Sequence, residues 1–216
     1  MSAADRSPDD VAPSASIELE LKFDVDDATP LPDWSAVPGV AVVGAAELRE
    51  LDALYLDSDD LVLAHAGYAV RRRTGGPDAG WHIKGPRRAD GGRVELQWPL
   101  GDDDTIPDAV TDALAAVTTI TGLAPIARIR NRRTAYALQD ERGGVVAEFV
   151  DDRVVARDER AGTERTWREW EFELGPAAPA ATEERAALFA AARAAVEAAG
   201  GRPAASDSKL ARTLGH

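Results

Sequence analysis

Residues 17–23 read Ile17-Glu18-Leu19-Glu20-Leu21-Lys22-Phe23, a strict alternation of apolar and charged side chains. Alternation with a period of two is typical of a β-strand that buries one face. The pattern places Glu18, Glu20 and Lys22 together on one face, opposite the apolar residues. The run therefore predicts a strand that presents two carboxylates and one ammonium group side by side.

The same kind of pattern returns near the end of the chain, in residues 166–174. There Glu169, Glu171 and Glu173 alternate with large apolar residues. Carboxylates two residues apart share a face, and two such strands brought side by side would make an oxygen-rich site suited to Mg²⁺ or Mn²⁺. The first and last strands are therefore predicted to carry matching acidic faces.

The remaining chain is mostly β-strand by the same criteria. Further strands are predicted at 48–57, 67–73, 81–84, 93–98, 126–138 and 145–152, and helices at 107–121, 182–199 and 206–214. We predict a β-dominated α+β protein with a single domain at residues 16–216. Residues 1–15 are rich in Pro, Asp, Ser and Ala and lack the basic start and apolar middle of a secretory signal. They predict a short disordered tail on a cytoplasmic protein.

Composition excludes several classes of protein. The chain has 216 residues, no cysteine and a formal net charge of -13. The absence of cysteine excludes a disulfide scaffold and a cysteine zinc site. No apolar run approaches the ~20 residues that a membrane-spanning helix needs. The negative charge argues against a nucleic-acid or anionic-membrane partner, because phosphate groups would be repelled at long range.

Several of the charged faces carry mainly one sign of charge. The basic positions on these faces are Arg71, Arg73, Lys84, Arg93, Arg128, Arg130 and Arg132, and the acidic ones include Glu148 and Asp152. A solvated sheet face is the simpler alternative, but like charges two residues apart repel each other. A metal-bound polyphosphate would neutralise both sets at once. If the strands closed into a barrel with these faces inward, the two longer helices would cover part of the apolar outside.

An ordered series of motifs resembles the CYTH superfamily, the triphosphate tunnel metalloenzymes. The series is Glu18-x-Glu20-x-Lys22, Tyr55-x-Asp57, Gly67-x-x-x-Arg71-Arg72-Arg73, Trp81-x-Ile83-Lys84-Gly85-Pro86, Arg93-x-Glu95, Arg130-x-Arg132-Arg133, Glu148 with Asp152, Glu169-x-Glu171-x-Glu173 and Ser208-Lys209-Leu210-x-Arg212. It covers nearly all of residues 16–216. One departure is Ser58, where the family usually has Thr.

The resemblance implies an eight-stranded antiparallel closed β-barrel, a tunnel with flanking helices. It also implies that basic residues hold a triphosphate while carboxylates hold Mg²⁺ or Mn²⁺. Members of the family hydrolyse inorganic triphosphate, thiamine triphosphate or RNA 5′-triphosphate ends, or cyclise ATP to cyclic AMP. We therefore expect a metal-dependent triphosphatase that acts on a small-molecule triphosphate or polyphosphate. The alternatives are an adenylyl cyclase and a non-catalytic polyphosphate-binding module.

The expected site residues fall into three groups. The metal ligands are Glu18, Glu20, Glu148, Asp152, Glu169, Glu171 and Glu173. The substrate-binding residues are Arg71, Arg73, Lys84, Arg93, Arg130, Arg132 and Lys209. The catalytic residues are Lys22, Glu20 and Glu171. Strand parity favours Arg132 over Arg133 and Asp152 over Asp151, although both pairs stay open at this stage.

Lys22 has two possible roles. With metal bound to the neighbouring carboxylates, nearby positive charge would favour a partly neutral amine that accepts a proton from the attacking water. Alternatively, Lys22 simply binds phosphate or pairs with Glu20. Two other residue types are expected to be structural: His82 as a polar filler, and most of the tryptophans Trp81, Trp98, Trp167 and Trp170 as packing.

Overall fold

The structure, a computed structural model, describes residue 9 and residues 11–119, 122–206 and 208–215. The strands are β1 Ser14–Glu18, β2 Glu20–Val25, β3 Val42–Val43, β4 Glu47–Asp57, β5 Ala69–Thr74, β6 Gly80–Arg87, β7 Arg93–Trp98, β8 Ala124–Gln139, β9 Val145–Asp158, β10 Thr163–Leu174 and β11 Arg202–Pro203. The helices are α1 Val62–His65, α2 Asp108–Ala115, α3 Thr182–Ala199 and α4 Lys209–Leu214. The last residues of the helix predicted at 107–121 lie outside the described residues. β1 begins two residues before the predicted start of the domain.

The strands form one antiparallel sheet with the order β1-β7-β6-β5-β4-β8-β9-β10-β2-β11, and β3 pairs with β8. This confirms the β-dominated antiparallel fold with a few helices. Among the residues that the structure describes, the hydrogen-bonded order runs from β1 to β11 without closing. The eight-stranded closed tunnel implied by the resemblance is therefore not confirmed and stays a prediction.

The fold divides into two compact units. Unit 1 contains the described residues of Met1–Glu18, Leu51–Arg130 and Ala156–Glu164, and unit 2 those of Leu19–Glu50, Asn131–Val155 and Arg165–His216. The long strands β4, β8, β9 and β10 contribute residues to both units. Each unit has its own core and its own cluster of charged residues.

The alternating run at residues 17–23 is two strands, not one. β1 ends at Glu18 and pairs with β7, where Glu18 lies opposite Arg93. β2 starts at Glu20 and pairs with β10, where Lys22 lies opposite Glu171. The interruption at position 19 changes the neighbouring strand, so Glu18 belongs to unit 1 and Glu20 to unit 2.

The core of unit 2 is aromatic. Phe149 packs against Trp34 and Trp170 at centroid distances of 4.8 Å and 5.6 Å. The amphipathic helix α3 contributes the buried residues Leu188, Ala192 and Val196, whose four-residue spacing makes one apolar stripe. One face of β2 and β10 is thereby covered by a helix, as the sequence predicts for the apolar strand faces.

The core of unit 1 gathers around tryptophans. Trp81 and Trp98 are buried with residues of β5 and β6, and the helix α2 adds Val110 and Leu114. Together with Trp170 in unit 2, these tryptophans confirm the predicted packing role. In the part of the chain that the structure describes, no helix is both long and apolar enough to cross a membrane.

Asp57, part of one of the motifs, holds the start of α1 in place. Its carboxylate is 1% exposed and accepts hydrogen bonds from the backbone N–H groups of Ser58, Leu63 and Ala64, at 2.8, 2.9 and 2.9 Å. The N–H groups of Leu63 and Ala64, in the first turn of α1, would otherwise lack partners. This aspartate is therefore a structural residue of unit 1, and it anchors Leu63 in the core.

We expect Asp57→Ala to lower the free energy of unfolding by about 3 kcal/mol, since it removes a charged acceptor and leaves buried donors unpaired. Asp57→Asn keeps one acceptor oxygen and should lose less. Urea denaturation of both variants measures the difference. Equal stability of wild type and Asp57→Ala would contradict the capping role.

Candidate functional site

The cationic residues of unit 1 lie in register across neighbouring strands. Arg71 on β5 is opposite Tyr55 on β4 and His82 on β6. Lys84 on β6 is opposite Glu95 on β7. Antiparallel pairing thus aligns side chains that are far apart in sequence, and it forms a charged row on one face of the sheet.

Glu95 is the acceptor at the centre of this cluster. Nη2 of Arg71 donates to Oε1 of Glu95 at 3.2 Å, and Nζ of Lys84 lies 3.7 Å from Oε2. Lys84 also donates to Glu18 at 2.6 Å. Burial and the hydrogen bond with Glu95 raise the pKa of Glu18 to about 8, although Lys84 opposes the shift. The two carboxylates and their cations form one coupled group.

The cluster keeps unused hydrogen-bond donors. Nη1 of Arg71 donates to the hydroxyl of Tyr55 at 3.2 Å. Burial would raise the pKa of Tyr55, but the charge of Arg71 outweighs it and lowers the pKa. The Nε atoms of Arg71 and Arg93 are buried and have no hydrogen-bond partner among the described residues. Arginine donors without acceptors suit an anion with several oxygen atoms.

His82 has the structural role that the sequence suggests. Its ring is 1% exposed, with Nδ1 at 2.8 Å from Oε1 of Glu95 and Nε2 at 3.0 Å from the carbonyl oxygen of Asp78. Both facing atoms are acceptors, so the contacts are satisfied only when each ring nitrogen carries a proton or Glu95 itself carries one. Asp78 also pairs with Arg73. His82 thus contacts both Glu95 and the turn between β5 and β6.

Three carboxylates converge in unit 2. Asp152 on β9 and Glu169 and Glu171 on β10 are buried, and one oxygen of each lies within 4.8 Å of the others. Asp151 points to the opposite face, where it accepts from Arg168 at 2.8 Å. Strand parity therefore places Asp152, and not its neighbour, in the cluster.

Cations from three different elements neutralise this acidic cluster. Nζ of Lys209 on α4 lies 2.5 Å from Glu169, 2.8 Å from Glu171 and 2.9 Å from Asp152. Arg133 on β8 donates to both Asp152 and Glu171 at 2.7 Å. Burial alone would raise the pKa of Glu171 and Asp152, but the cations outweigh it and lower both pKa values.

Lys22 completes the cluster. It donates to Glu171 and, at 2.8 Å, to Glu20. Burial favours the neutral amine, yet Glu171 and Glu20 outweigh it and raise the pKa of Lys22 above its usual value. Without a metal ion, Lys22 is a paired cation, which is the second of the two roles expected from the sequence.

The predicted arginines of β8 require a correction. Arg128, Arg130 and Arg132 lie on the exposed face of the strand; the side chain of Arg132 is 63% exposed and lies 3.5 Å from Glu50. The opposite face carries Asn131 and Arg133. The regular alternation of arginines identified a shared face, but that face is the solvent face. Arg133, not Arg132, reaches the acidic cluster.

Four predicted ligands lie outside the group of three carboxylates: Glu18, Glu20, Glu148 and Glu173. Glu18 pairs with Lys84, and Glu20 pairs with Lys22. Glu148 is held by Arg49, whose guanidinium donates to both of its oxygens at 3.0 Å. Glu173 lies opposite Glu20 in the pairing of β10 with β2. Sequence reasoning missed Arg49 as a site neighbour and quoted Glu95 only within a motif. The alternation within β7 was the available signal for Glu95.

The fold and these clusters define a class of protein: a β-sheet protein with one buried cationic cluster and one buried acidic cluster able to hold a metal ion. The model of the CYTH domain family matches residues 16–213. The chain belongs to the CYTH family.

Two curated relatives come from different strains of Mycobacterium tuberculosis, and both are described as uncharacterized proteins. Each is 35% identical over 214 residues, covering 94% of this chain and 41% of the relative. The chain thus spans about two fifths of the length of these relatives.

Several solved structures share the fold. A candidate adenylate cyclase from Bacillus halodurans has a TM-score of 0.59 and 19% identity, with 92% of this chain and 97% of that chain covered. A candidate adenylyl cyclase from Hippeastrum, described as having a dominant triphosphatase activity, has a TM-score of 0.54 and 15% identity, with 92% of this chain and 94% of that chain covered. The PH1819 protein from Pyrococcus horikoshii has a TM-score of 0.55 and 16% identity, with 91% and 98% covered.

Replacing Arg133 and Arg132 in turn tests the correction on β8. We expect Arg133→Met to lower the free energy of unfolding by about 3 kcal/mol in EDTA at pH 7, because it removes one of the cations that neutralise the buried carboxylates Asp152 and Glu171. Arg132→Met removes only an exposed pair and should cost less than about 0.5 kcal/mol. Guanidinium denaturation measures both, and equal losses would contradict the assignment.

Proposed function

We propose that this chain is a divalent-metal-dependent hydrolase that cleaves the terminal phosphoryl group from a triphosphate. The observation that carries the proposal is the buried cluster of Asp152, Glu169 and Glu171 in a member of the CYTH family. The reported triphosphatase activity of the Hippeastrum protein supports the choice of reaction. The substrate is inorganic tripolyphosphate or a small organic triphosphate.

The acidic cluster fits a hard divalent cation such as Mg²⁺ or Mn²⁺. Its donors are carboxylate oxygens, which these ions prefer, and they lie within 4.8 Å of one another. The neighbouring cations lower the pKa of Glu171 and of Asp152 and so favour the ionised form that a metal ligand needs. When bound, the ion would neutralise charge on the phosphoryl oxygens and help to orient the attacking water. Glu20, which contacts Lys22, is retained as a supporting acidic residue of this cluster, and Glu18 is retained as an acidic residue of unit 1.

The cationic cluster of unit 1 is assigned to the phosphate chain. Arg71, Arg73, Lys84 and Arg93 would take phosphate oxygens, and the unpaired Nε atoms of Arg71 and Arg93 are donors ready for them. Water attacks the terminal phosphorus, a new P–O bond forms and the bond to the bridging oxygen breaks. The free or organic diphosphate leaves with the negative charge of that oxygen, and the proton that water loses passes to solvent. Arginine and lysine side chains stabilise that charge without proton transfer.

The assignment differs from the sequence prediction at β8. Arg130 and Arg132 are omitted because they lie on the exposed face. Arg133 takes their place as the β8 cation of the site, and Lys209 is retained as a cation from α4.

An adenylyl cyclase is the competing function, and it is favoured by the description of two proteins of similar structure as candidate adenylyl cyclases. In that reaction the ribose 3′-hydroxyl attacks the α-phosphorus of ATP and diphosphate leaves. The same cationic and acidic residues would serve both reactions. The product therefore distinguishes them: free phosphate for the hydrolase and cyclic AMP for the cyclase.

Phosphate release from tripolyphosphate, thiamine triphosphate and ATP, each with Mg²⁺ or Mn²⁺, tests the proposal. We expect metal-dependent release from at least one substrate, and a loss of about 100-fold or more in Glu171→Gln, because a ligand and a charge are removed. Glu164→Gln, on an exposed part of the same strand, is the matched control and should keep its activity.

The possible outcomes separate the three functions. Cyclic AMP from ATP without phosphate release would identify a cyclase. Tight binding of polyphosphate without turnover of any substrate would identify a binding module. Full metal-dependent activity of Glu171→Gln would remove Glu171 from the metal site.

Lys22→Arg tests the role of Lys22. Since Lys22 is a paired cation here, we expect arginine to replace it with a rate loss smaller than the about 100-fold that removal of a general base costs. The pH profile should keep its shape. A larger loss together with an altered alkaline limb would instead establish Lys22 as the general base.

A further inference from the structure

The ammonium group of Lys209 occupies the middle of the acidic cluster. Its Nζ is 2.5 Å from Glu169, 2.8 Å from Glu171 and 2.9 Å from Asp152. It donates a hydrogen bond to Glu171 and lies within ion-pair distance of the other two carboxylates. The side chain therefore fills the place where a cation would bind these three residues.

Among the described residues, Lys209 is the cation that contacts all three carboxylates. Arg133 bridges Asp152 and Glu171, and Lys22 contacts Glu171 together with Glu20. These two side chains border the cluster from the strands β8 and β2. Of these three cations, Lys209 is the one that lies between the carboxylate oxygens of Asp152, Glu169 and Glu171.

Lys209 comes from α4, a short helix that is stabilised by a helix cap, an ion pair and a cation–π contact. The hydroxyl of Ser208 accepts from the N–H of Ala211 at 3.1 Å and caps the helix. Arg212, one turn further on, pairs with Asp24 at 2.5 Å, and its guanidinium carbon lies 4.7 Å from the ring centroid of Trp167. The contacts of Arg212 with Asp24 and Trp167 stabilise α4 in the position that places Lys209 in the cluster.

A divalent cation would need the same oxygen atoms at about 2.0–2.6 Å. An ammonium group and a divalent ion cannot share them, because the two positive charges would repel at contact distance. We propose that Lys209 is a built-in competitor for the divalent cation: the ion displaces its ammonium group from Asp152, Glu169 and Glu171, and α4 loosens as the ion binds. This inference rests on the metal site of the proposed function and adds a residue that sets its affinity.

Mn²⁺ binding to the full chain, measured by titration calorimetry at neutral pH, tests the competition. We expect Lys209→Met to bind Mn²⁺ about tenfold more tightly than wild type, because a similar volume is kept and the competing charge is lost. Arg202→Met removes one exposed positive charge elsewhere in unit 2 and is the matched control. It should leave the affinity within about twofold.

Hydrogen exchange of α4 provides a second test, which needs no substitution of Lys209. Hydrogen exchange of residues 209–215 in the wild-type chain should become faster when Mn²⁺ is added, since α4 loses its contact with the cluster. Arg212→Ala should bind Mn²⁺ with an affinity between those of wild type and Lys209→Met. Tighter binding by Lys209→Met with unchanged exchange of α4 would overturn displacement, leaving only a long-range effect of charge.

The two proposals fail separately. A chain that shows the competition for Mn²⁺ but hydrolyses no triphosphate would overturn the proposed function alone. An active hydrolase in which Lys209→Met and wild type bind Mn²⁺ equally would overturn the competition alone.

Discussion

Neutralisation of buried carboxylates is the constraint on which unit 2 depends. Two like charges 4 Å apart repel by about 4 kcal/mol at the effective dielectric constant of a protein. Asp152, Glu169 and Glu171 lie about that close together, so cations must accompany them. Lys22, Arg133 and Lys209 come from β2, β8 and α4. The acidic cluster therefore links these three elements to β9 and β10, and its charge balance is part of the fold.

Unit 1 has the opposite balance. Its cluster gathers arginine and lysine side chains around Glu95 and Glu18. The buried Nε atoms of Arg71 and Arg93 have no hydrogen-bond partner among the described residues. A buried donor without an acceptor costs free energy unless a ligand satisfies it. The two clusters thus have complementary chemistry, one suited to anionic oxygens and the other to a cation.

Other charged residues of the sheet have structural partners instead. Arg168 holds Asp151 and three backbone carbonyls, Arg49 holds Glu148, and Arg128 holds Asp52. These pairs satisfy charges that alternate along the strands as regularly as those of the clusters. Alternation alone therefore does not identify a functional face. Whether a charged residue has a structural role depends on the residue that it contacts on a neighbouring strand.

The sequence by itself determined most of the strands, the helix α3, the apolar faces and the motifs that resemble the CYTH family, because local periodicity records which side chains share a face. It also singled out Asp152, Glu169, Glu171 and Lys209, which the structure brings together. It did not predict β3, β11 or α1, and it made α2 longer than the structure shows. Tertiary structure alone decided that β1 and β2 separate at position 19, that Arg133 and not Arg132 joins the cluster, and that Glu95 is the centre of unit 1. Parity along one strand sorts residues into two faces but does not say which face is buried. That choice is made by neighbouring strands and helices, which come from distant parts of the chain.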